Sequence, residues 1–322
     1  MRSNMAPSAA TRASAVLAGL VLDRAFSASL ARFHPVAGYG KAMVAIEQRM
    51  WAPSRIAGVA YTAVGLSPAV VASLLGRLAR GHHKGFSAGS WLSLALASWV
   101  ASGASSLWGE AEAMARLLKE ADLEAARARL GNLAGRDAGS LDSSGISRAV
   151  IESVAENTVD AAVASVFWAL CAGVPGVVAH RCINTLDAMV GHRNQRYGRF
   201  GWASARLDDL AAWIPARLLV VLVMALRPNR AGEIWRLWHG PARLHPSPNA
   251  GVSEASFAAA LGVRLGGANT YGGILDDRPK MGNGRTPSPG DIQGAVSLSA
   301  AALGVLALGA ALVGLTTTMA GH

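Results

Sequence analysis

The sequence predicts an all-α, polytopic integral membrane protein, and three observations predict it. Of 322 residues, 52% are hydrophobic and only 16% charged, well below the roughly 25% charged residues of soluble proteins. The mean hydropathy is +0.30. The apolar residues gather into long runs separated by polar, partly helical loops, which predicts about four or five membrane-embedded segments in one membrane-embedded domain, 1–322. The net charge of +10 admits anionic lipids or anionic substrates. No Lys/Arg block with interleaved aromatics occurs, which argues against nucleic acid as a partner. Cys171 and Cys182 form no redox or metal pair. The His residues show no zinc spacing, and no P-loop or dinucleotide fingerprint is present.

Residues 1–12 are polar and basic and read as a disordered tail. Ala13 to Leu22 is apolar but short, followed by Asp23-Arg24 rather than a cleavage site, so it reads as a short embedded or interfacial helix. His34-Pro35 breaks the pattern, and Gly38 to Trp51 resumes as an amphipathic helix. Ile56 to Leu75 is long enough to cross a hydrocarbon core of about 30 Å, with Pro68 as a kink. Trp91 to Trp108 is a second spanning candidate with aromatic residues at both ends. Gly109 to Leu130 alternates charge with an apolar stripe and reads as a water-facing helix. The region 109–210 carries most of the polar motifs around a broken apolar hairpin. Residues 227–294 read as a long polar loop, and 295–315 as a terminal membrane helix.

The carboxylates recur in one stretch. Glu152, Glu156 and Asp160 fall at i, i+4 and i+8, which places them on one face of a helix. Like charges so spaced repel unless a cation lies among them or one is protonated. The ordinary alternative is a solvated helix face. Asn157-Thr158-Val159-Asp160-Ala161-Ala162-Val163 is echoed 27 residues later by Asn184-Thr185-Leu186-Asp187-Ala188-Met189-Val190, with five of seven positions identical. Two such Asn-x-x-Asp segments can aim oxygen ligands at one Mg²⁺, which makes Glu156, Asp160 and Asp187 the candidate metal ligands; the alternative is coincidence in an Ala/Val-rich chain. If Ala161 to Ala179 spanned the membrane, the two acidic groups would lie on opposite sides. Gly173, Pro175 and Gly176 within it favour a broken hairpin instead. Arg181, Arg193, Arg196, Arg199 and Arg206 form a cationic stretch able to bind phosphate or simply to hold a loop on one side of the membrane. Asp208 and Asp209 are further ligands or a general base, or pair with Arg206 or Arg217. The turns around Arg243 to Gly251 and Arg264 to Gly273 can form anion-binding nests, or be plain surface turns.

The segments E-S-V-A-E-N-T-V-D, N-T-L-D-A-M-V-G-H-R, A-R-L-D-D-L-A-A-W-I-P-A-R-L, S-P-N-A-G and R-L-G-G-A-N-T-Y-G resemble, in order, the adenosylcobinamide-phosphate synthase family of cobalamin biosynthesis. The resemblance covers roughly Asp23 to Gly282, with H-P-V at His34 and Arg136-Asp137 as further shared features. Asp23-Arg24-Ala25 stands where that family carries Gly-Asp-Pro, and Ala212 where it carries Asn. The resemblance implies an ATP- and Mg²⁺-dependent ligase with no prosthetic group. It would join the free carboxylate of adenosylcobyric acid to 1-amino-2-propanol phosphate or the free amino alcohol. The implied catalytic set is Glu152, Glu156, Asp160, Asp187, Asp208 and Asp209. The implied substrate contacts are His34, Asn157, Asn184, Arg193, Arg206, Arg217, Ser247, Asn249, Asn269 and Tyr271. The implied setting is the cell membrane, multi-pass, with the site facing the cytoplasm. The expected partners are the corrinoid, the amino alcohol, the bilayer and other membrane enzymes of the late pathway. Two other classes suit the residues: a Mg²⁺-dependent membrane transferase acting on a diphosphate or lipid, and a transporter lined by polar residues.

Overall fold

The computed structural model describes residues 9–26, 34–82, 87–192, 194–271 and 274–319. The protein is all-helical apart from one small hairpin: fourteen helices, α1 to α14, and strands β1 and β2 are found among the described residues. Three helical stretches are long and apolar enough to cross a membrane, Arg55–Leu78, Ser143–Val190 and Pro289–Thr316, and α10 with α11 makes a fourth if counted as one broken span. The chain is therefore a polytopic helical membrane protein. It divides into two compact units, the first made of Met1–Gly103, Ala164–Ala212 and Ala307–His322, the second of Ala104–Val163 and Trp213–Leu306.

In the first unit, α1 (Ala9–Phe26) packs on α5 (Ala88–Ala101). Gly19 permits it, because a Cβ there would sit 2.6 Å from the Ala95 carbonyl oxygen. Ser54 caps α3 (Arg55–Gly65) by accepting from the Ile56 amide. The chain then bends at Leu66 before α4 (Ser67–His82), because Pro68 cannot continue the ladder. Helix α2 (Pro35–Met50) and α3 meet α9 (Ala164–Val190) in a core of Met43, Tyr61, Leu186, Val190 and Phe200. Helix α9 is interrupted at Gly173, whose φ of 64° and ψ of −150° are non-helical. Beyond it, Gly176 lies against the Trp168 carbonyl oxygen, 2.7 Å from the position of a Cβ. An unbroken helix would hold residues eight apart roughly 12 Å from each other, so the stretch after Gly173 turns back towards Trp168. The run from Ser143 to Val190 is thus not one straight rod of 48 residues. Helix α10 (Trp202–Ala211) accepts the Trp168 indole N–H at the Ala211 carbonyl.

The expected span Trp91 to Trp108 is broken, and the second unit begins with its latter part. Helix α5 stops at Ala101 and α6 (Ala104–Lys119) begins after Ser102-Gly103. The expected single helix over 109–130 is also two, because Ala121 adopts φ 59° between α6 and α7 (Leu123–Leu130). Asp142, rather than Ser143 or Ser144, caps α8 (Ser143–Thr158), accepting from the Gly145 amide at 2.7 Å. Helix α8 runs into a π-turn, Val159–Val163. The Thr158 hydroxyl donates to Ser299 of α14 (Pro289–Met319), which also accepts the Trp108 indole N–H. The expected polar loop 227–294 is folded. After α11 (Trp213–Leu226) it holds α12 (Ala231–His239), the buried Ala-rich α13 (Ala250–Leu261), and β1 (Leu265–Tyr271) paired antiparallel with β2 (Ile274–Met281). The glycines that read as turn residues are strand residues here. Gly266 and Gly267 carry φ of 75° and 87°, and an irregularity in the pairing falls at the same place.

Gly58 faces the Phe200 carbonyl oxygen, which would lie 1.8 Å from a Cβ. Gly58→Ala should destabilise the first unit by about 1–3 kcal/mol, the usual cost of overpacking. Thermal unfolding of detergent-purified protein would read this as a lower midpoint, and an unchanged midpoint would show that α3 and the turn at Phe200 are not closely packed.

Candidate active site

The second unit contains a buried charged centre. Glu152 of α8 is 1% exposed. Its Oε2 accepts from Arg136 Nη2 at 2.7 Å, and its Oε1 accepts from the Gly266 backbone amide at 2.7 Å. Arg136 also donates through Nη1 to Asn269 Oδ1 at 2.9 Å. Arg148, one turn before Glu152, clasps the hairpin. It donates to the Gly266 carbonyl, to the Ala268 carbonyl at 3.0 Å and to Asn269 Oδ1 at 3.1 Å. The α8 face, the loop before it and strand β1 are thus fastened at one point.

A second buried carboxylate, Glu254 of α13, completes the centre. It is fully buried, and neither of its oxygens has a hydrogen-bond partner. Its nearest basic nitrogens are His245 Nε2 at 3.7 Å and Arg278 Nη1 at 3.9 Å. Arg278 is itself committed to Asp276 at 3.0 Å. His245 is held through Nδ1 by the backbone of Ser247, and its Nε2 has no hydrogen-bond partner. Burial pushes the Glu254 carboxyl well above the usual carboxylate range. Glu152 and Glu156 add to the shift, and Arg278 and Arg136 oppose it. Burial likewise holds His245 below its ordinary value, so the imidazole is neutral near pH 7.

The S-P-N-A-G segment lies beside this centre. The Ser247 hydroxyl accepts from the Asn249 and Ala250 amides, and Arg217 donates to Asn249 Oδ1 at 2.6 Å and to the Pro248 carbonyl. Of the predicted residues, Glu152, Glu156, Asn157, Asp160, Arg217, Ser247, Asn249, Asn269 and the backbone of Tyr271 belong to the second unit. Asn157 is turned onto its own helix, donating to the Ser153 carbonyl. Asp160 is the second residue of the π-turn that follows α8. His34, Asn184, Asp187, Arg206, Asp208 and Asp209 belong to the first unit. There Asn184 accepts from Arg181 at 3.4 Å, and the Asp187 carboxylate fills the space that a Cβ on Gly191 would need. Burial, with the Arg181 guanidinium, holds His34 below the ordinary imidazole value, against a raising effect of Asp23. Asp209 pairs with Arg206 at 3.3 Å on the surface, and both line a half-open cleft of about 420 Å³ with His192, Tyr197 and Trp202. Arg193 lies outside the described residues. Among the described residues no three His, Cys, Asp or Glu side chains are grouped as ligands of one metal ion.

Arg148, His245, Glu254, Arg278 and Asp276 were not singled out from the sequence, and Arg136 was seen only as part of a motif. One signal was available for Glu254: a lone carboxylate in an otherwise apolar helix, V-S-E-A-S-F-A-A-A-L.

Membrane-crossing helices and a buried carboxylate–guanidinium centre define a polytopic membrane protein with a polar site walled by helices and a hairpin. The family model described as "CobD/Cbib protein" matches residues 16–299. The chain belongs to that family. It is 45% identical over 299 residues to a protein of Mycobacterium tuberculosis named "Cobalamin biosynthesis protein CobD", covering 90% of this chain and 91% of the relative. Relatives of the same name from Chromobacterium violaceum and Stutzerimonas stutzeri are 41% and 40% identical, over 87% and 90% of this chain and 89% and 94% of theirs. No solved structure matches.

Arg136→Ala would leave the Glu152 carboxylate buried without its guanidinium and should cost about 3–5 kcal/mol. Removing both partners should cost less than the two single changes added together. A double-mutant cycle on unfolding in detergent measures this, and strict additivity would show that the pair is not coupled.

Proposed function

We propose that this chain is the ligase that joins the free carboxylate of adenosylcobyric acid to 1-amino-2-propanol phosphate, or to free aminopropanol, using ATP and giving adenosylcobinamide (phosphate). A role as an enzyme of cobalamin biosynthesis follows from the family. The observation that supports the finer reading is the convergence of three distant motifs, around Glu152, Asn249 and Asn269, in one unit around one buried charged centre.

A carboxylate resists attack by an amine until one of its oxygens becomes a leaving group. Phosphorylation by ATP supplies that, and phosphoryl transfer is mainly a matter of positioning and charge neutralisation. Mg²⁺, when bound, would neutralise the phosphates. It is usually held by one or two carboxylates with substrate oxygens completing its shell. Glu156 and Asp160, both partly exposed and four residues apart, fit that role in the second unit; Asp187 is proposed separately as a metal ligand in the first. Arg136 and Arg148 hold the hairpin closed over α8. Arg217 fixes the Ser247–Asn249 turn, and Arg217, Ser247 and Asn249 are proposed as substrate contacts. Arg193, Arg206, Asp208, Asp209, His34, Asn184 and Tyr271 are proposed as further substrate contacts. The protein would lie in the cell membrane with its site open to the cytoplasm, beside other membrane enzymes of the late pathway, and would need no prosthetic group.

Detergent-purified protein given ATP, Mg²⁺, adenosylcobyric acid and the amino alcohol should release ADP or AMP only with the corrinoid present, and should form the amide. Corrinoid transport in vesicles without amide formation would sink the ligase reading. Glu156→Gln keeps size and loses charge; amide formation should fall by about 100-fold or more while folding persists. Near-normal turnover would return Glu156 to the role of a solvated helix residue.

A further inference from the structure

Glu254 is unlike the other carboxylates of the second unit. Glu152 has both oxygens engaged, by Arg136 and by the Gly266 amide. Asp276 is paired with Arg278. Glu156 is partly exposed one turn beyond Glu152. Glu254 is fully buried with both oxygens unengaged, and His245 Nε2, also buried and unengaged, faces it at 3.7 Å. A buried carboxylate left this way loses the desolvation cost of the group with nothing in return, unless a ligand completes it.

The charge around it selects the ligand. The groups that act on Glu254 are Glu152 and Glu156 from α8, Arg278 from β2 and Arg136 before α8, with the neutral His245 behind. Three carboxylates face two guanidiniums, one of which already serves Asp276. In the empty site burial holds Glu254 towards its neutral form; a cation entering beside it offsets that and draws it to the carboxylate, so the ligand that completes the centre is a cation. The two acceptors left unengaged, the Glu254 carboxylate and the neutral His245 imidazole, suit an organic ammonium, whose N–H groups can meet both. An inorganic ion would need several clustered oxygens, and no such group occurs among the described residues.

We propose that Glu254, backed by His245, receives the primary ammonium of the amino alcohol and takes its proton. This deepens the ligase reading and rests on it. In the step, an N–H bond of the ammonium breaks, its electron pair stays on nitrogen, and the proton moves to a Glu254 oxygen. The freed amine attacks the carbonyl carbon of the acyl phosphate that ATP makes from the corrinoid carboxylate. A C–N bond forms, and the C–O bond to phosphate breaks with its electron pair leaving on phosphate. The second N–H proton of the adduct passes to the departing phosphate. Burial excludes water, which would otherwise hydrolyse the acyl phosphate. Glu254 touches the reacting nitrogen and is a catalytic residue; His245 acts through it and is a positioning residue.

The test compares two nucleophiles on full-length protein in detergent, with ATP, Mg²⁺ and adenosylcobyric acid. One is the amino alcohol the wild type uses, which is an ammonium at neutral pH. The other is hydroxylamine, which is mostly unprotonated there and needs no base before it attacks. In Glu254→Gln, amide formation should fall by about 100-fold or more, while hydroxamate formation stays within about threefold of wild type. The residual amide rate should climb with pH by about tenfold per unit below the amine's own pKa, as free amine replaces ammonium. Equal losses with both nucleophiles would overturn the proposal, because Glu254 would then serve activation or folding. Unchanged amide formation would overturn it too. If Glu254→Gln does not fold, Glu254→Asp keeps the charge and withdraws the oxygens by one bond. It should show the same contrast between nucleophiles at smaller size, and no contrast would overturn the proposal. A wild type that makes neither product, and no corrinoid-dependent ADP or AMP, would fail the ligase reading itself.

Discussion

The second unit depends on keeping one ion pair buried. Glu152 and Arg136 lie 16 residues apart, but the carboxylate also reaches the amide of Gly266, 114 residues on, and the guanidinium reaches Asn269, 133 residues on. Removing two charges from water costs several kcal/mol per ion after relaxation, and only full satisfaction of the remaining lone pairs and protons offsets it. The hairpin supplies most of it, through the Gly266 amide and Asn269 Oδ1, and leaves Arg136 Nε without a hydrogen-bond partner. Gly266 is the residue that allows it: its φ of 75° presents the amide inward, and any Cβ there would lie 2.1 Å from the Pro279 carbonyl oxygen. A two-stranded hairpin is marginal alone in water. Here it is fixed by the polar groups of α8, with Arg148 as a second clamp on the same strand.

The first unit is held differently. Its helices approach through small residues and backbone, as at Gly19 on α5 and Gly58 on the Phe200 carbonyl, in the manner of helices that gain nothing from leaving lipid and depend on close packing. Its polar contacts are scattered: Thr62 with Ser204 at 2.9 Å, Glu47 with Arg196 at 2.8 Å, Arg12 with the Leu170 carbonyl. The first and last tie two helices, the second ties α2 to the turn before α10, and none builds a centre like that around Glu152.

Helix class and the principal apolar segments were legible because hydropathy and length decide them. The α3–α4 bend was legible because proline decides it. The break between α5 and α6 was not, since the Trp91 to Trp108 run keeps its apolar character across Ser102-Gly103 and only the backbone shows the interruption. The segment after Arg227 misled for another reason. Its Gly, Pro and Asn residues are turn formers by propensity, but Gly266 and Gly267 are used inside a strand at an irregularity of pairing, where tertiary contacts override propensity. The acidic face was half legible. Glu152 and Glu156 share α8, and Asp160 falls in the π-turn Val159–Val163, which no period read from sequence at 3.6 residues per turn reveals. Glu254 is not legible because it belongs to no repeat; its neighbours are His245 in the loop before α13 and Arg278 of β2.

The two buried glutamates show what distinguishes structural from chemical use of the same side chain. Glu152 has every oxygen matched, and its removal would release the loop and the hairpin from α8. Glu254 makes no hydrogen bond and stands off from His245 at 3.7 Å and Arg278 at 3.9 Å. It sits in a helix whose neighbours are Ser253, Ala255, Ser256 and the run Ala258 to Ala260, where alanine would pack without burying a charge. Leaving its two oxygens unmade costs on the order of 1–3 kcal/mol for each buried group, and nothing in the packing of α13 requires it. A chain that keeps such a group beside two further carboxylates holds a site ready for positive charge. Burial, which raises the cost in the empty site, also strengthens the attraction once a cation enters and water is gone.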